Sequence, residues 1–498
     1  MIHKLRYCIM MCVGPLLFSG TAFAQTFNIT DSVAQGTWSI EKTDSGFVFV
    51  GGSDSPQWWN GIDLWTMNDS LKVTAHTDLG VLGASSFGGW ASSSTPTSDG
   101  NYFVTGSYQE TSTISDLYLI KFNSSVDTIW TKKHRTADIL HSGHSSIETS
   151  DKGFMIATVI SDSLDAQIVL FKTDSLGNVQ WYQDYGNVNT PQIGTSIIQL
   201  ADKSYVVGGQ TWETNGAPNY DQLIFRTDSA GNTMWWRQYG HPDYRDGAAF
   251  VQQALDGNIV YGSILANEGD LKGWLHFAKL DVNTGDTIYS KTYGSDDRLD
   301  VAYSVKPTGD GNFICSGARV DIDALQLMGI LLKVDQDGEL LWWRQYTHVI
   351  GNHCFFRDVV QMDNGGYLAA GNVEPSGAMN IEQAAWFVMT DEFGCIVPGC
   401  HTIGIDEIVV GLDDALNVWP NPNSGIFQLE ITFPNELELG SELQLSITNV
   451  LGAIVHQQAL PSVHAQTLSI SQTLPAGIYH VHVSSGSRYL SGAKMVVE

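Results

Sequence analysis

The sequence predicts an all-β protein, a seven-bladed β-propeller followed by a small C-terminal β-sandwich, and three observations carry that expectation. One β-rich unit recurs seven times, at steps of 51 to 55 residues. The 498 residues include 50 Gly, 15 Trp and 18 Tyr against 16% charged side chains, a composition suited to short strands and tight turns. After Cys400 the period stops, while alternation of apolar and polar residues continues to Glu498. With 43% apolar residues, the chain is neither a disordered acidic tail nor a collagen-like repeat.

Met1 to Arg6 is basic, Tyr7 to Gly20 is mainly apolar, and Ala22-Phe23-Ala24 places small residues before Gln25. That is the pattern of a secretory signal peptide over residues 1–24. Cys8 and Cys12 lie inside the apolar run rather than at the cleavage point, which argues against a lipid-modified N-terminal cysteine. No later segment approaches the roughly 20 apolar residues of a spanning helix.

Residues 25–400 hold the repeats. The anchor reads DSGFVFVG from Asp44, DGNYFVTG from Asp99, DKGFMIAT from Asp151, DKSYVVGG from Asp202, DGNIVYG from Asp256, DGNFICSG from Asp310 and NGGYLAAG from Asn364. A second signature follows each anchor, an alternating strand, a polar turn and an aromatic strand, as in QLIFRTDSAGNTMWWRQYG from Gln222. Asp-Gly and Gly-Asn pairs accept positive φ at little cost and so mark hairpin turns. Each period thus holds four strand-sized segments, a sheet that cannot bury both faces alone and needs neighbours in a ring. The seventh repeat stops after WFVMTDEFGC, and QTFNIT from Gln25 precedes the first repeat with nothing of its own to pair with. The N-terminal strand is therefore expected to complete the last blade and leave no free edge.

The unit resembles a broad group of exported bacterial propeller repeats. Its Asp, Gly and Trp pattern, clearest from Asp174 to Trp181 and from Asp228 to Trp235, is similar to the tryptophan-docking motif of quinoprotein propellers. This resemblance implies fold and not function. The calcium and quinone ligands of the dehydrogenase members are not found. Trp130, Trp181, Trp235, Trp236, Trp342 and Trp343 recur at equivalent positions and are expected to pack between blades.

A link over 401–414 leads into residues 415–498, where LNVWPNPNSGIF from Leu416, LQLSITNVLGAIVHQQAL from Leu443 and LPAGIYHVHVSSGSRYLSGAKMVVE from Leu474 alternate as short strands of a β-sandwich. The three blocks resemble the type A C-terminal sorting domain of the type IX secretion system, on Trp419, Pro420, Asn421, Pro422, Gly425 and Phe427, then Gly452 and Val455, then Gly477, Ile478, Tyr479 and Lys494. Asn449 stands where the family often has Asp, and Ala453 where it often has Arg. The resemblance implies Sec export and passage across the outer membrane of a Gram-negative cell. Its implied partners are the secretion machinery and its sortase, with the product on the outer-membrane surface or released.

Four cysteines remain after signal cleavage, and an even number in an exported chain favours disulfides. Cys395 and Cys400 flank a Val-Pro-Gly turn and are the leading pair, expected to fasten the ring's exit; Cys315 and Cys354 are the other candidates. No phosphate loop, His-Glu-x-x-His or Gly-x-Ser-x-Gly elbow is found, so no catalytic, cofactor or metal residue is assigned. His134, His141 and His144 read as loop histidines, and Asp335-Gln336-Asp337-Gly338-Glu339 as a hairpin rather than a calcium loop. Asp246 and Asp300, each ten residues before an anchor, are the remaining candidates for polar-ligand contacts at a channel mouth.

Lys plus Arg is 25 against 53 for Asp plus Glu, and loss of Lys4 and Arg6 leaves 23 against 53, a balance of −30. Such a surface repels nucleic acid and anionic lipid. The expected protein is a secreted or cell-surface propeller that binds an extracellular glycan or protein. The alternatives are an extracellular polysaccharide hydrolase or lyase, which an inward cluster of carboxylates would favour, and a structural adhesin component.

Overall fold

The computed structural model describes residues 26–28, 36–52, 61–69, 71–79, 86–88, 94–111, 113–137, 139–161, 166–186, 190–212, 220–240, 244–267, 272–295, 298–321, 326–348, 351–375, 384–396, 400, 407–410, 412, 415–435, 437–450 and 452–498. The expected signal peptide and most of the 401–414 link lie outside them.

Each repeat folds into an antiparallel sheet whose strands follow one another in sequence. The third is Leu140–Glu148, Phe154–Ser161, Ala166–Thr173 and Val179–Tyr185, paired in that order. The fourth is Gln192–Gln199, Tyr205–Trp212, Tyr220–Thr227 and Thr233–Tyr239. In the second and fifth repeats the first strand is broken in two, as Ser86–Gly88 with Ser94–Pro96 and as Tyr244–Asp246 with Phe250–Gln253. Middle strands are buried on both faces, as in Phe154–Ser161, whereas last strands such as Val179–Tyr185 alternate exposed and half-buried residues. The last strand is therefore the outer rim of each sheet and the first strand its inner edge, the radial layout of a propeller.

Two devices join consecutive sheets. In repeats two to six an aromatic on the outer strand rests on a glycine of the next repeat's turn: Trp130 on Gly177, Trp181 on Gly231, Trp235 on Gly285, Tyr289 on Gly338 and Trp342 on Gly394. Gly231 sits at φ +90°, and a Cβ there would lie 3.0 Å from the Trp181 ring, so both backbone and packing demand glycine. The second device is a hydroxyl four residues on from the aromatic. Tyr185 donates to the Gly231 carbonyl and Tyr346 to that of Gly394, both at 2.6 Å, while Tyr239 and Tyr293 bond the carbonyls of Gly285 and Gly338. Trp236 and Trp343 do not share this position. They lie one residue later, in the clusters shared with the preceding repeat, and each also packs on its own sheet, Trp236 stacking on Phe225 at 4.7 Å and Trp343 lying under the Arg319 guanidinium at 4.7 Å.

Inside the sheets, an anchor carboxylate holds a cation of the third strand: Asp99 with Lys121, Asp151 with Lys172, Asp202 with Arg226, Asp256 with Lys279 and Asp310 with Lys333, all at 2.5 to 3.0 Å. The cations are buried and the carboxylates half-exposed.

The seventh repeat supplies Gly351–Gln361, Tyr367–Pro375 and Ala384–Thr390, and Thr26–Asn28 pairs antiparallel with the last of these, Thr26 opposite Val388 and Asn28 opposite Trp386. The first repeat (Gly36–Thr43, Gly46–Gly52, Ile62–Asn68, Val73–Asp78) packs against it, with Phe49 edge-on to Phe387 at 4.8 Å. The N-terminal strand thus fills the place that the sequence left open.

Cys395 and Cys400 form a disulfide. Cys315 and Cys354 do not: both are buried and outside any disulfide. Cys315 lies opposite Val305 and Leu332 within the sixth repeat, and Cys354 opposite Val373 in the seventh, so each belongs to a different apolar cluster. Burial raises the Cys315 thiol to about 12.

Beyond Cys400, Leu416–Trp419, Ile426–Thr432 and Ala465–Ser471 form one sheet, and Ile454–Leu460, Leu443–Asn449, Gly477–Ser485 and Arg488–Val497 a second. Leu429, Leu445, Ile447, Val481 and Met495 fill the space between them, a sandwich core. The link is not all connection. Glu407–Val410 is a strand, parallel both to Leu340–His348 on the rim of the sixth repeat and to Arg488–Val497 of the sandwich. The run EIVV is too short to carry a period, which is why the sequence reads it as linker.

Candidate functional site

The inner strands carry the candidate chemistry. The inner strands of repeats one, three, four, six and seven share a register shift at the same place, which bulges Trp38, His144, Thr195, Tyr303 and Arg357; the seventh has a second shift between Gly351 and His353. A bulge re-aims a side chain. Trp38, His144 and Thr195 are buried, His144 donating from Nδ1 to the Gly194 carbonyl at 2.9 Å and Thr195 to the Ala249 carbonyl at 2.8 Å. Tyr303 and Arg357 are half-buried. The Arg357 guanidinium stands 4.8 Å from the Tyr303 ring and 4.8 Å from the Phe355 ring, and those rings meet edge-on at 6.2 Å.

The residue after the bulge joins neighbouring repeats. It is Ser39, Ser145, Ser196 and Ser304 in four repeats and Asp358 in the seventh. Ser196 accepts the Val251 N–H at 2.9 Å, and Asp358 in the same place accepts the Ile40 N–H at 3.0 Å. Asp358 is fully buried and also takes bonds from the Ser304 hydroxyl at 2.8 Å and the Lys306 ammonium at 2.9 Å. Glu41, half-buried on the next inner strand, faces the same cluster. Burial raises its carboxyl to about 7, with Lys306 pulling it down and Asp358 pushing it up.

The residues that sequence reasoning singled out lie elsewhere. His134 Nε2 donates to the Gly177 carbonyl at 2.8 Å, taking the tyrosine's place in its repeat. His141 donates from Nδ1 to the Ile139 carbonyl at 3.1 Å and accepts the Thr136 N–H at Nε2 at 3.1 Å. The three histidines therefore serve three different backbone sites, and among the described residues no group of three His, Cys, Asp or Glu side chains is placed to hold a metal ion. Asp300 is not a channel contact: it is buried, and Arg319 grips it at 2.6 and 2.9 Å. Asp246 is likewise buried, on the equivalent inner strand. Asp335 Oδ1 accepts the N–H groups of Asp337 and Glu339 at 2.9 and 2.7 Å, a hairpin turn. The Glu41, Lys306 and Asp358 cluster and the Arg357 site were missed. The one available signal was an aspartate in the place where other repeats put serine.

In the sandwich, the first and last sorting blocks are stitched together. Asn421 donates to the Lys494 carbonyl at 2.7 Å and accepts the Val496 N–H at 2.8 Å; Asn423 donates to the Val496 carbonyl at 2.9 Å and receives the Glu498 N–H at 2.8 Å. Gly425 sits at φ +89°, where a Cβ would meet the Gln472 carbonyl at 2.1 Å. Phe427 and Tyr479 are buried in the core, Gly452 turns at φ +76°, and Gly477 opens the strand that pairs with Lys494's own. Pro420 and Pro422 shape the loop between them, and Trp419 is 54% exposed.

Residues 417–498 match the family described as a secretion system C-terminal sorting domain. The chain therefore carries a type IX sorting domain, and its destination is the cell surface or the extracellular space. No curated protein is similar to the chain in sequence. Among solved structures, it is similar to a polysaccharide lyase, an ulvan lyase, at 7% identity and TM-score 0.47 over 72% of this chain and 92% of that one. An α-L-arabinofuranosidase of Fusarium graminearum is 10% identical, with TM-score 0.43 over 60% and 92%. A protein of unknown function from Dyadobacter fermentans is also 10% identical, with TM-score 0.43 over 60% and 93%. Likeness at this level transfers no activity.

Proposed function

We propose that this is an extracellular binding protein: a propeller of seven blades, closed by its N-terminal strand, that presents the connections at one end of its sheets to a glycan or protein outside the cell. The supporting observation is an asymmetry of loop length. At the anchor end, turns such as 149–153, 174–178, 228–232 and 308–312 hold five residues each. At the other end, the links from second to third strand, 53–61, 112–113, 162–165, 213–219, 268–272, 322–325 and 376–383, run from two to nine residues. Uniform turns serve the fold, and variable ones on a rigid frame are where recognition is placed.

Thermal unfolding of the mature chain with a panel of polysaccharides tests this, because a ligand at 100 times its Kd adds about 2.7 kcal/mol. A shift that disappears when 53–61 and 376–383 are replaced by Gly-Ser links of equal length supports the reading. No shift with any glycan or defined protein partner would leave a structural role. A second reading, a polysaccharide hydrolase or lyase, draws on Glu41, whose carboxyl at about 7 has the protonation range of a general acid. New reducing ends released by the wild type and not by Glu41→Gln would establish it.

A further inference from the structure

We propose that Glu407–Val410 is a latch that holds the sorting domain on the rim of the sixth repeat, and that a peptidase cannot cut this part of the link until the latch opens. The latch goes beyond the binding reading above and does not depend on what the propeller binds.

A flexible tether is built from Gly, Ser, Pro or charged residues. Residues 401–414 read HTIGIDEIVVGLDD instead, and Ile408, Val409 and Leu412 are all buried. Both edges of the short strand are taken. Glu407 to Val410 pair with Gln345 to His348 of the sixth repeat's outer strand on one edge, and Glu407 and Ile408 pair with Arg488 and Tyr489 of the sandwich on the other. Successive side chains of a strand point to opposite faces, so Ile408 and Val409 enter different cores. Ile408 lies in one apolar cluster with Tyr346, Trp386 and the Cys395–Cys400 disulfide of the propeller, and Tyr489 of the sandwich reaches into that same cluster. Val409 belongs to the sandwich core with Leu429 and Leu445. An ion pair of Glu407 with Arg488 at 2.8 Å, and the Ser491 hydroxyl donating to the Leu412 carbonyl at 2.6 Å, fasten the sandwich side.

A peptidase must draw its substrate out as an exposed, extended segment, so the rate of cleavage follows the population of the opened state. Opening here means parting the strand from two sheets and two cores at once. Propeller and sorting domain therefore move as one body while the latch is shut, and their separation at this strand waits on its release.

The test is digestion of the mature full-length protein by thermolysin, which cuts ahead of large apolar residues, with fragments timed by mass spectrometry. In the wild type the bonds before Ile408, Val409, Val410 and Leu412 should be cut no faster than a bond inside the repeats, such as that before the buried Leu170. Ile408→Asp, which puts a charge into the shared cluster, should speed cleavage in the link roughly 10- to 100-fold and release an intact propeller and an intact sandwich. Tyr489→Ala, which opens the same contact from the sandwich side, should do so by a smaller factor. Near-ultraviolet circular dichroism of the undigested variants reports whether the domains have kept their packing. If Ile408→Asp does not fold, wild-type protection and Tyr489→Ala carry the test. Small-angle X-ray scattering reads the latch without cleavage: the wild type should fit one compact particle and Ile408→Asp a longer one. Prompt cutting of these bonds in the wild type, equal rates in the wild type and the folded variants, or wild-type scattering from two independently moving bodies overturns the proposal.

Discussion

Repeats two to six and the junction between repeats seven and one face the same physical problem and meet it with different groups. In the interior, each anchor carboxylate holds a third-strand cation, and each outer aromatic from repeat two to repeat six lies on the next repeat's glycine. At the ends this set is absent from the sequence. Thr66 and Met389 occupy the third-strand positions where the interior has Lys or Arg, and Ala75 stands where the interior has Trp or Tyr. The junction is held from inside instead, by Asp358 and Lys306 bonding the backbone of Ile40, by Lys42 with Asp363, and by the pairing of Thr26–Asn28. Interior contacts can be repeated because every copy meets an identical neighbour. The junction joins the two chain ends, so its contacts are unique and each lacks a substitute.

The largest expected effect comes from removing Gln25 to Asp31. Without it the third strand of the seventh repeat becomes a bare edge. Melting should become broader and fall further than for any point change below; an unchanged transition would show that the ring does not depend on this strand. Asp358→Ala should follow, at about 3–5 kcal/mol in urea unfolding, because Lys306 loses its bonded carboxylate and keeps only Glu41 facing it, and the Ile40 N–H and Ser304 hydroxyl lose their acceptor. Trp181→Ala in the interior should cost less, about 3 kcal/mol, since the ring is only partly buried and four sister contacts remain. If it cost more than Asp358→Ala, the contrast between interior and junction would be lost. Cys395→Ser with Cys400→Ser should cost about 2 kcal/mol, the loop-closure value for so short a loop.

The interior and the closing strand of the junction were legible in the sequence, and the buried bonds of the junction were not, for reasons of distance. Turn chemistry is local: Asp174 accepts the N–H groups of Leu176 and Asn178, so an Asp, Gly and Asn pattern fixes the hairpin within five residues. Docking of Trp181 follows from the same period. Pairing of Cys395 with Cys400 and the sorting blocks from Trp419 to Lys494 were also readable, since each is a short run of residues. Asp358 binds Ile40 across 318 positions and Lys306 across 52, and a bulge shifts the register between them. The same bulge hid the turn of Arg357 toward Tyr303, because alternation read straight through it assigns the wrong face.

Glu41 gives the smallest effect and the most specific signature. In the unfolded chain its carboxyl has the ordinary value of 4.5, and in the fold burial raises it to about 7. A raised folded value means that the folded state holds the proton more tightly than the unfolded one. This contribution is therefore fully present below 4.5 and is lost as pH rises through about 7. The groups that face Glu41 act in opposite senses, Lys306 favouring the anion and Asp358 opposing it, and burial outweighs both. Glu41→Gln, which cannot ionise, should match the wild type near pH 4 and exceed it by about 1–2 kcal/mol at pH 8, the full shift being discounted because Glu41 is only half-buried. Denaturant midpoints at pH 4, 6 and 8 measure this difference directly. A constant gap at all three values would mean that Glu41 is ionised throughout and that water reaches it freely, which would remove the case for Glu41 as an acid.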